Sequence, residues 1–385
     1  MELGDAFRKP ARASGVVGGS SAGGPDRLSS LPDCLLHTIM SSLKARQAVQ
    51  TCVLSTRWRH LWRSVPCLDI DFDEFSNTAP ASDVFDSNES DDDTSDSDSD
   101  NWHNHKDWEH FTKYKDWEDF EDFAVTLIRR LCRSLVDLEL DNCSCEIQSI
   151  TSQSLKTLVL KRCGWRNLSE IISPTLKTLV IDGGSNIGAC VLVILAPSVV
   201  YLHLAMRVDY FSGGVSLNEV PSVAQALIHL WYHKYVYARS KLAGDQFKLL
   251  CSISNSTNLE LSDVGTTVLG KEPKFQEFKN LRSLLLDRCD LSDDFKTLVF
   301  FLRSSPILEK LTLRCCEFPK YSNKKKGTPI LNKTSSSELR GLDLLCENLK
   351  VEIIYNDGYG PHLMQLLLRI SVNLSKNNVK LTKVN

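Results

Sequence analysis

The sequence predicts an α/β solenoid preceded by a small three-helix module. Three observations predict it. A leucine spacing returns from residue 135 onward, a helix-patterned block fills residues 26–66, and an acidic run at residues 83–100 separates the two.

The leucine spacing comes first because it sets the architecture. Leu135, Leu138, Leu140 and Cys143 stand as L-x-x-L-x-L-x-x-C, and the pattern recurs at Leu155, Leu158, Leu160 and Cys163. It returns at Leu281, Leu284, Leu286 and Cys289, and at Leu308, Leu311, Leu313 and Cys316. Partial copies lie at Leu176, Leu179 and Ile181, at Val199, Leu202 and Leu204, at Val223, Ala226 and Ile228, and at Leu259 and Leu261; Leu339, Leu342 and Leu344 close the series. Steps of about 20 to 30 residues match the leucine-rich-repeat period, which predicts a horseshoe. Leucines two apart share one face of a strand. The preceding leucine packs beneath the strand, and the cysteine tucks inward at the turn. Each unit holds half a core that its neighbours complete. Helical returns are expected, as at Phe295, Leu298, Val299, Phe301 and Leu302 before Pro306. Residues 205–258 fit the pattern least well.

The helix-patterned block follows from its own periodicity. Leu35, Leu36, Ile39 and Leu43 recur at helical spacing after Pro32 and Asp33. A second run carries Ala48, Cys52 and Val53, and a third carries Trp58, Leu61 and Trp62. A core of about 40 residues is too small to stand alone, so the module needs a partner or a neighbouring domain to cover it.

The remaining segments are polar or lack a pattern. Residues 1–25 are rich in Gly, Ser and Ala and read as a disordered arm. Residues 83–104 read as an acidic linker or insertion, with serines flanked by acids and open to phosphorylation. A stripe of Phe120, Phe123, Ala124, Leu127, Ile128 and Leu131 forms an entry helix to a repeat domain spanning 105–355, and residues 356–385 are a C-terminal segment.

Composition narrows the function classes. The chain has 385 residues, 13 cysteines and a formal net charge of -3, which gives no global reason to bind nucleic acid or an anionic membrane. An odd cysteine count without a CxxC pair argues against a disulfide framework and for a reducing compartment, the nucleus or cytoplasm. His103, His105 and His110 lack a nearby cysteine pair, so no metal is expected. No cofactor is implied. No Walker, G-x-S-x-G or H-E-x-x-H sequence is present.

Residues 26–66 resemble the plant F-box. Leu31-Pro32, Asp33, Leu35-Leu36, Ile39, Val53-Leu54-Ser55, Arg57-Trp58 and Leu61-Trp62 stand where that family has its Leu-Pro pair, leucine pair, Val-Leu-Ser segment and Arg-Trp-x-x-Leu-Trp ending. With the repeats, the resemblance to plant F-box/leucine-rich-repeat proteins covers most of the chain. Ser42 departs from it, since the family often has an aromatic residue before the loop leucine. The resemblance implies an F-box over 26–72 and a non-catalytic receptor subunit of a Skp adaptor–cullin–F-box ubiquitin ligase. The F-box would bind a Skp-type adaptor, and through it a cullin, and the repeats would hold an unknown protein substrate. The implied adaptor-binding residues are Leu28, Leu31, Pro32, Leu35, Leu36, Ile39, Val53, Leu54, Trp58, Leu61 and Trp62. A concave strand face would read the substrate through Glu139, Val159, Val180, Tyr201, His203, Leu285 and Thr312. The alternatives are a binding scaffold without ligase function, a cysteine hydrolase, and an acidic chaperone of basic proteins.

Overall fold

A computed structural model describes residues 28–71, 124–128, 135–231, 249–264, 277–291, 296–317, 349–356 and 378–384, apart from isolated positions within those ranges. The arm at 1–25, the acidic run and Tyr232, Tyr235 and Tyr237 lie outside the described residues.

The amino-terminal block contains α1 (Asp33–Ser41) and α2 (Ala45–Gln50), a 3-10 turn at Thr51–Val53, and α3 (Trp58–Leu61), which continues as a second 3-10 turn at Trp62–Ser64. The third helix expected from sequence is therefore a single α turn extended by a 3-10 turn. Pro32 stands at the N-cap of α1, where its missing N–H costs nothing, and Asp33 adds a carboxylate to the first turn.

The chain then enters one large parallel sheet. Its strands are β1 (Cys67–Asp71), β2 (Asp137–Asp141), β5 (Thr157–Lys161), β8 (Thr178–Asp182), β11 (Tyr201–Arg207), β13 (Gln225–Trp231), β14 (Asn258–Ser262), β15 (Ser283–Asp287), β16 (Lys310–Arg314), β17 (Lys350–Tyr355) and β18 (Val379–Lys383), neighbours in that order. The return paths make two smaller parallel sheets. One contains β4 (Ser149–Thr151), β7 (Glu170–Ile172), β10 (Leu192–Leu195) and β12 (Val215–Asn218); the other contains β3 (Ser144–Cys145), β6 (Gly164–Trp165) and β9 (Ser185–Asn186). This is a repeat-type solenoid.

The helical returns predicted for an α/β solenoid are mostly absent among the described residues. One full helix, α4 (Lys296–Ser304), lies in the repeat region, between β15 and β16. Chain length explains the difference. The early coils are about 20 residues long, whereas the coil holding α4 is about 27. A strand covers about 3.3 Å per residue and a helix about 1.5 Å, so a short coil closes only if its return is extended.

The inward residues follow the leucine pattern. Leu138 and Leu140, Leu158 and Leu160, Leu284 and Leu286, and Leu311 and Leu313 are all buried. Each repeat cysteine donates its S–H to the carbonyl of the last core residue of the preceding strand: Cys143 to Ile70 at 3.5 Å, Cys163 to Leu140 at 3.4 Å, Cys289 to Leu261 at 3.4 Å and Cys316 to Leu286 at 3.3 Å. The residue before each cysteine, or its equivalent, is left-handed. Asn142, Arg162, Gly183, Asp263, Arg288 and Cys315 have φ between 49° and 71°. Each donates its N–H to a carbonyl in the carboxyl half of the next strand, as Arg162 does to Asp182 at 2.7 Å and Arg288 to Arg314 at 2.7 Å.

Several boundaries differ from the sequence reading. β1 is the first strand of the solenoid sheet, although it falls within the span assigned to the helical module. The region thought irregular holds β13, which pairs over five to seven residues with both β11 and β14. The strand beside β16 is β17, with Val351 and Ile353 buried; the expected copy at Leu339, Leu342 and Leu344 lies outside the described residues. The C-terminal segment contributes β18, which pairs with β17. Of the entry-helix stripe, Ala124 and Ile128 are described and are buried in the core.

Candidate functional site

Two surfaces stand out, one on the helical module and one on the open face of the large sheet. On α1, Leu36 and Met40 are fully buried. Leu35 and Ile39, at the same four-residue spacing, are 50% and 40% exposed. A helix with two apolar stripes needs a second partner for the outer one. Leu28, Val53 and Leu54, on the same module, are exposed as well, with Val53 83% exposed. Pro32 is also exposed. Of the ten exposed large apolar side chains among the described residues, these five lie on one small module. Scattered exposed apolar residues are ordinary; a concentration of them on one module makes it a candidate surface.

The sequence-based set divides accordingly. Leu28, Pro32, Leu35, Ile39, Val53 and Leu54 form the exposed surface. Leu36, Trp58 and Trp62 are buried in the core and are corrected to structural residues. Leu31 and Leu61 are partly buried and pack against that core. The correction is geometric: a helix of nine residues turns its leucine pair to different faces, so Leu36 goes inward while Leu35 stays out.

The module is fastened to the sheet. Lys44, at the start of α2, places Nζ 2.7 Å from Asp69 and 3.3 Å from Asp71, both on β1. Burial acts to lower the Lys44 pKa, but the two carboxylates outweigh it and hold the pKa above its ordinary value.

The open strand face carries three rows of outward side chains. The central row runs Asp69, Glu139, Val159, Val180, His203, Leu227, Glu260, Leu285, Thr312, Glu352 and Lys380, in register from β1 to β18. Val159 and Val180 are thus direct neighbours, and His203 is next to Val180. Tyr201 belongs to the adjoining row, between Thr178 and Gln225. Glu139 is paired with Lys161 at 2.6 Å, and that bond is the main reason the Lys161 pKa is raised. Thr312 is buried, so its expected place on an accessible face is corrected. Leu227 and Glu260, absent from the sequence-based set, lie between His203 and Leu285. Their signal was present: with Ala226 and Ile228 inward, Leu227 must point outward.

Along the carboxyl ends of β13 to β16 runs a linked set of charges. Asp263 accepts from His229 Nε2 and from Arg288 Nε and Nη2, the latter two at 3.0 Å. Arg288 also lies 3.4 Å from Asp287, and Arg314 lies 3.3 Å from Asp287 and 3.6 Å from Glu260. Burial alone would raise the Asp263 pKa, but the bonds from His229 and Arg288 hold it at about 2. No group of His, Cys, Asp and Glu suited to a metal ion occurs among the described residues, and no described helix is long and apolar enough to cross a membrane.

These features define a class: a helical module with an outward apolar surface, set at the start of a repeat solenoid. The F-box domain family matches residues 28–69. The chain is 30% identical to the MEIOTIC F-BOX protein MOF of Oryza sativa subsp. japonica, over 88% of this chain and 82% of that one. It is 57% identical to an F-box/FBD/LRR-repeat protein of Arabidopsis thaliana over 14% of this chain and 12% of the relative, and 46% identical to an F-box/LRR-repeat protein of Arabidopsis thaliana over the same shares. No solved structure matches. The chain belongs to the plant F-box/LRR-repeat family.

Proposed function

We propose that this protein is the substrate-recognition subunit of a Skp adaptor–cullin–F-box ubiquitin ligase, working in the nucleus or cytoplasm. Leu28, Pro32, Leu35, Ile39, Val53 and Leu54 bind the adaptor, and the open strand face of the leucine-rich repeats holds the target. The protein itself does no chemistry. It brings a bound target near a charged conjugating enzyme, and proximity supplies the rate. The observation that carries this reading is the double stripe of α1, with Leu36 and Met40 buried and Leu35 and Ile39 exposed on an F-box.

The test is co-purification of a Skp-type adaptor with Leu35→Ala/Ile39→Ala. Removing central apolar anchors costs about 2 kcal/mol or more, so binding should weaken at least about 30-fold. Because both side chains are exposed, the circular dichroism spectrum and melting temperature should stay close to the parent's. Undiminished adaptor binding sinks the assignment. It would favour the scaffold reading, and the exposed Ser42, a departure from the family's usual aromatic residue, would then point the same way.

A further inference from the structure

A hollow of about 220 Å³ opens on the strand face over β13, β14 and β15. It is smaller than the ~300 Å³ at which small-molecule sites begin, so it suits one long side chain rather than a cofactor. Leu227 and Leu285 form its two walls, Glu260 stands between them, and Gln225, Asn258 and Ser283 line one end. The register places Glu260 directly beside Leu227 on one side and Leu285 on the other. The walls are therefore about 10 Å apart, two strand spacings.

We propose that this hollow receives a lysine or arginine side chain of the protein substrate. This rests on the reading of the strand face as the substrate-binding surface. Glu260 is the one charged residue among those lining the hollow, and it is a carboxylate. A basic side chain has the matching anatomy: an apolar stem to lie against Leu227 and Leu285, and a cationic head to meet Glu260. The head has room to compete. Arg314 reaches Glu260 only at 3.6 Å, beyond hydrogen-bond range, and Asp287 at 3.3 Å already balances its charge. The uncharged polar groups of Gln225, Asn258 and Ser283 lie along one neighbouring row, placed to bond the backbone of the segment that carries the basic residue. An acidic occupant would meet the Glu260 carboxylate between apolar walls, and an apolar one would desolvate that carboxylate with only the 3.6 Å ion pair to Arg314 to offset the cost.

The experiment uses the full chain, incubated with a Skp-type adaptor and passed over degenerate nine-residue peptides whose central position is fixed in turn as each amino acid. Peptides with central Arg or Lys should be retained at least fivefold over those with central Ala or Glu. Glu260→Gln, which preserves shape, should bring that ratio to within twofold, and Glu260→Lys should shift it toward central Asp or Glu. The melting transition reports that each variant is folded. Absence of a basic preference, a preference for another class, or a basic preference that survives Glu260→Gln overturns the proposal. Adaptor co-purification from the same samples is an independent readout: its loss with the peptide preference intact counts against the ligase reading and leaves the hollow standing.

Discussion

Cys289 donates its S–H across one coil boundary to the Leu261 carbonyl, and burial pushes its pKa up to about 12 from an ordinary 9.0. Burial likewise raises that of Cys316. The thiolate is the reactive form, so both should resist iodoacetamide at pH 8 in the folded protein and react quickly in guanidinium. Mass spectrometry of labelled peptides reads this directly; fast native labelling would mean that the coils do not stack in this register. Asp263 is the other informative residue. Its pKa of about 2 lies below its ordinary 3.8, so the stability it contributes is present above pH 3.8 and is lost as pH falls through 2. Asp263→Asn suits the test because Asn tolerates the left-handed backbone found there, φ 56°. After allowance for solvent screening, the variant should lose about 1–2 kcal/mol at pH 7, and the gap should narrow toward pH 2. Urea unfolding at the two pH values measures it.

At the scale of elements, the strands were the most legible part. A period-two pair of leucines states which face is buried, so β2, β5, β15 and β16 could be read directly, and the terminal cysteines with them. The left-handed residue before each cysteine was not read. Asn142, Gly183 and Asp263 hint at it by residue type, but Arg162 and Arg288 disguise it. Those two carry the backbone cost while their side chains bond acids of the preceding coil, Asp141 and Asp263. The return strands were missed because two or three residues are too few to show a period, whereas β13 was legible only as the degenerate copy Val223, Ala226 and Ile228, because Ala226 replaces a leucine. In the F-box, spacing named the apolar residues but could not sort Leu35 from Leu36, which takes the helix in three dimensions. The joint between α2 and β1 was also invisible, since Lys44 meets its partners only after the chain has turned back. Lys44→Glu should place like charges together there and raise amide exchange in α2 and β1. The cost in global stability should be below about 1 kcal/mol, because the ion pairs are partly exposed. Unchanged exchange at both elements would show that apolar packing alone holds the joint.

At the scale of the molecule, an open solenoid leaves its last coils to protect the rest. Val351 and Ile353 cover the inward side of β16, and β18 in turn pairs with β17. A chain ending at residue 317 should keep most of its circular dichroism, because contacts run between neighbours. It should also associate as concentration rises, since Leu311 and Leu313 lose their cover and β16 becomes a bare edge. Light scattering across a dilution series checks this; a strictly monomeric truncation would contradict it. The entry of the F-box chain into the sheet through β1 has a consequence for reach. From β1 to β14 there are six strand steps, about 29 Å along the sheet at the usual spacing. Each strand on that path is hydrogen-bonded to the next, which makes the sheet a strut of set length. On the proposed reading, a target gripped at Glu260 would hang at a set distance from the adaptor. The choice of which target lysine is modified would then be made by a ruler built into the chain, one coil per graduation.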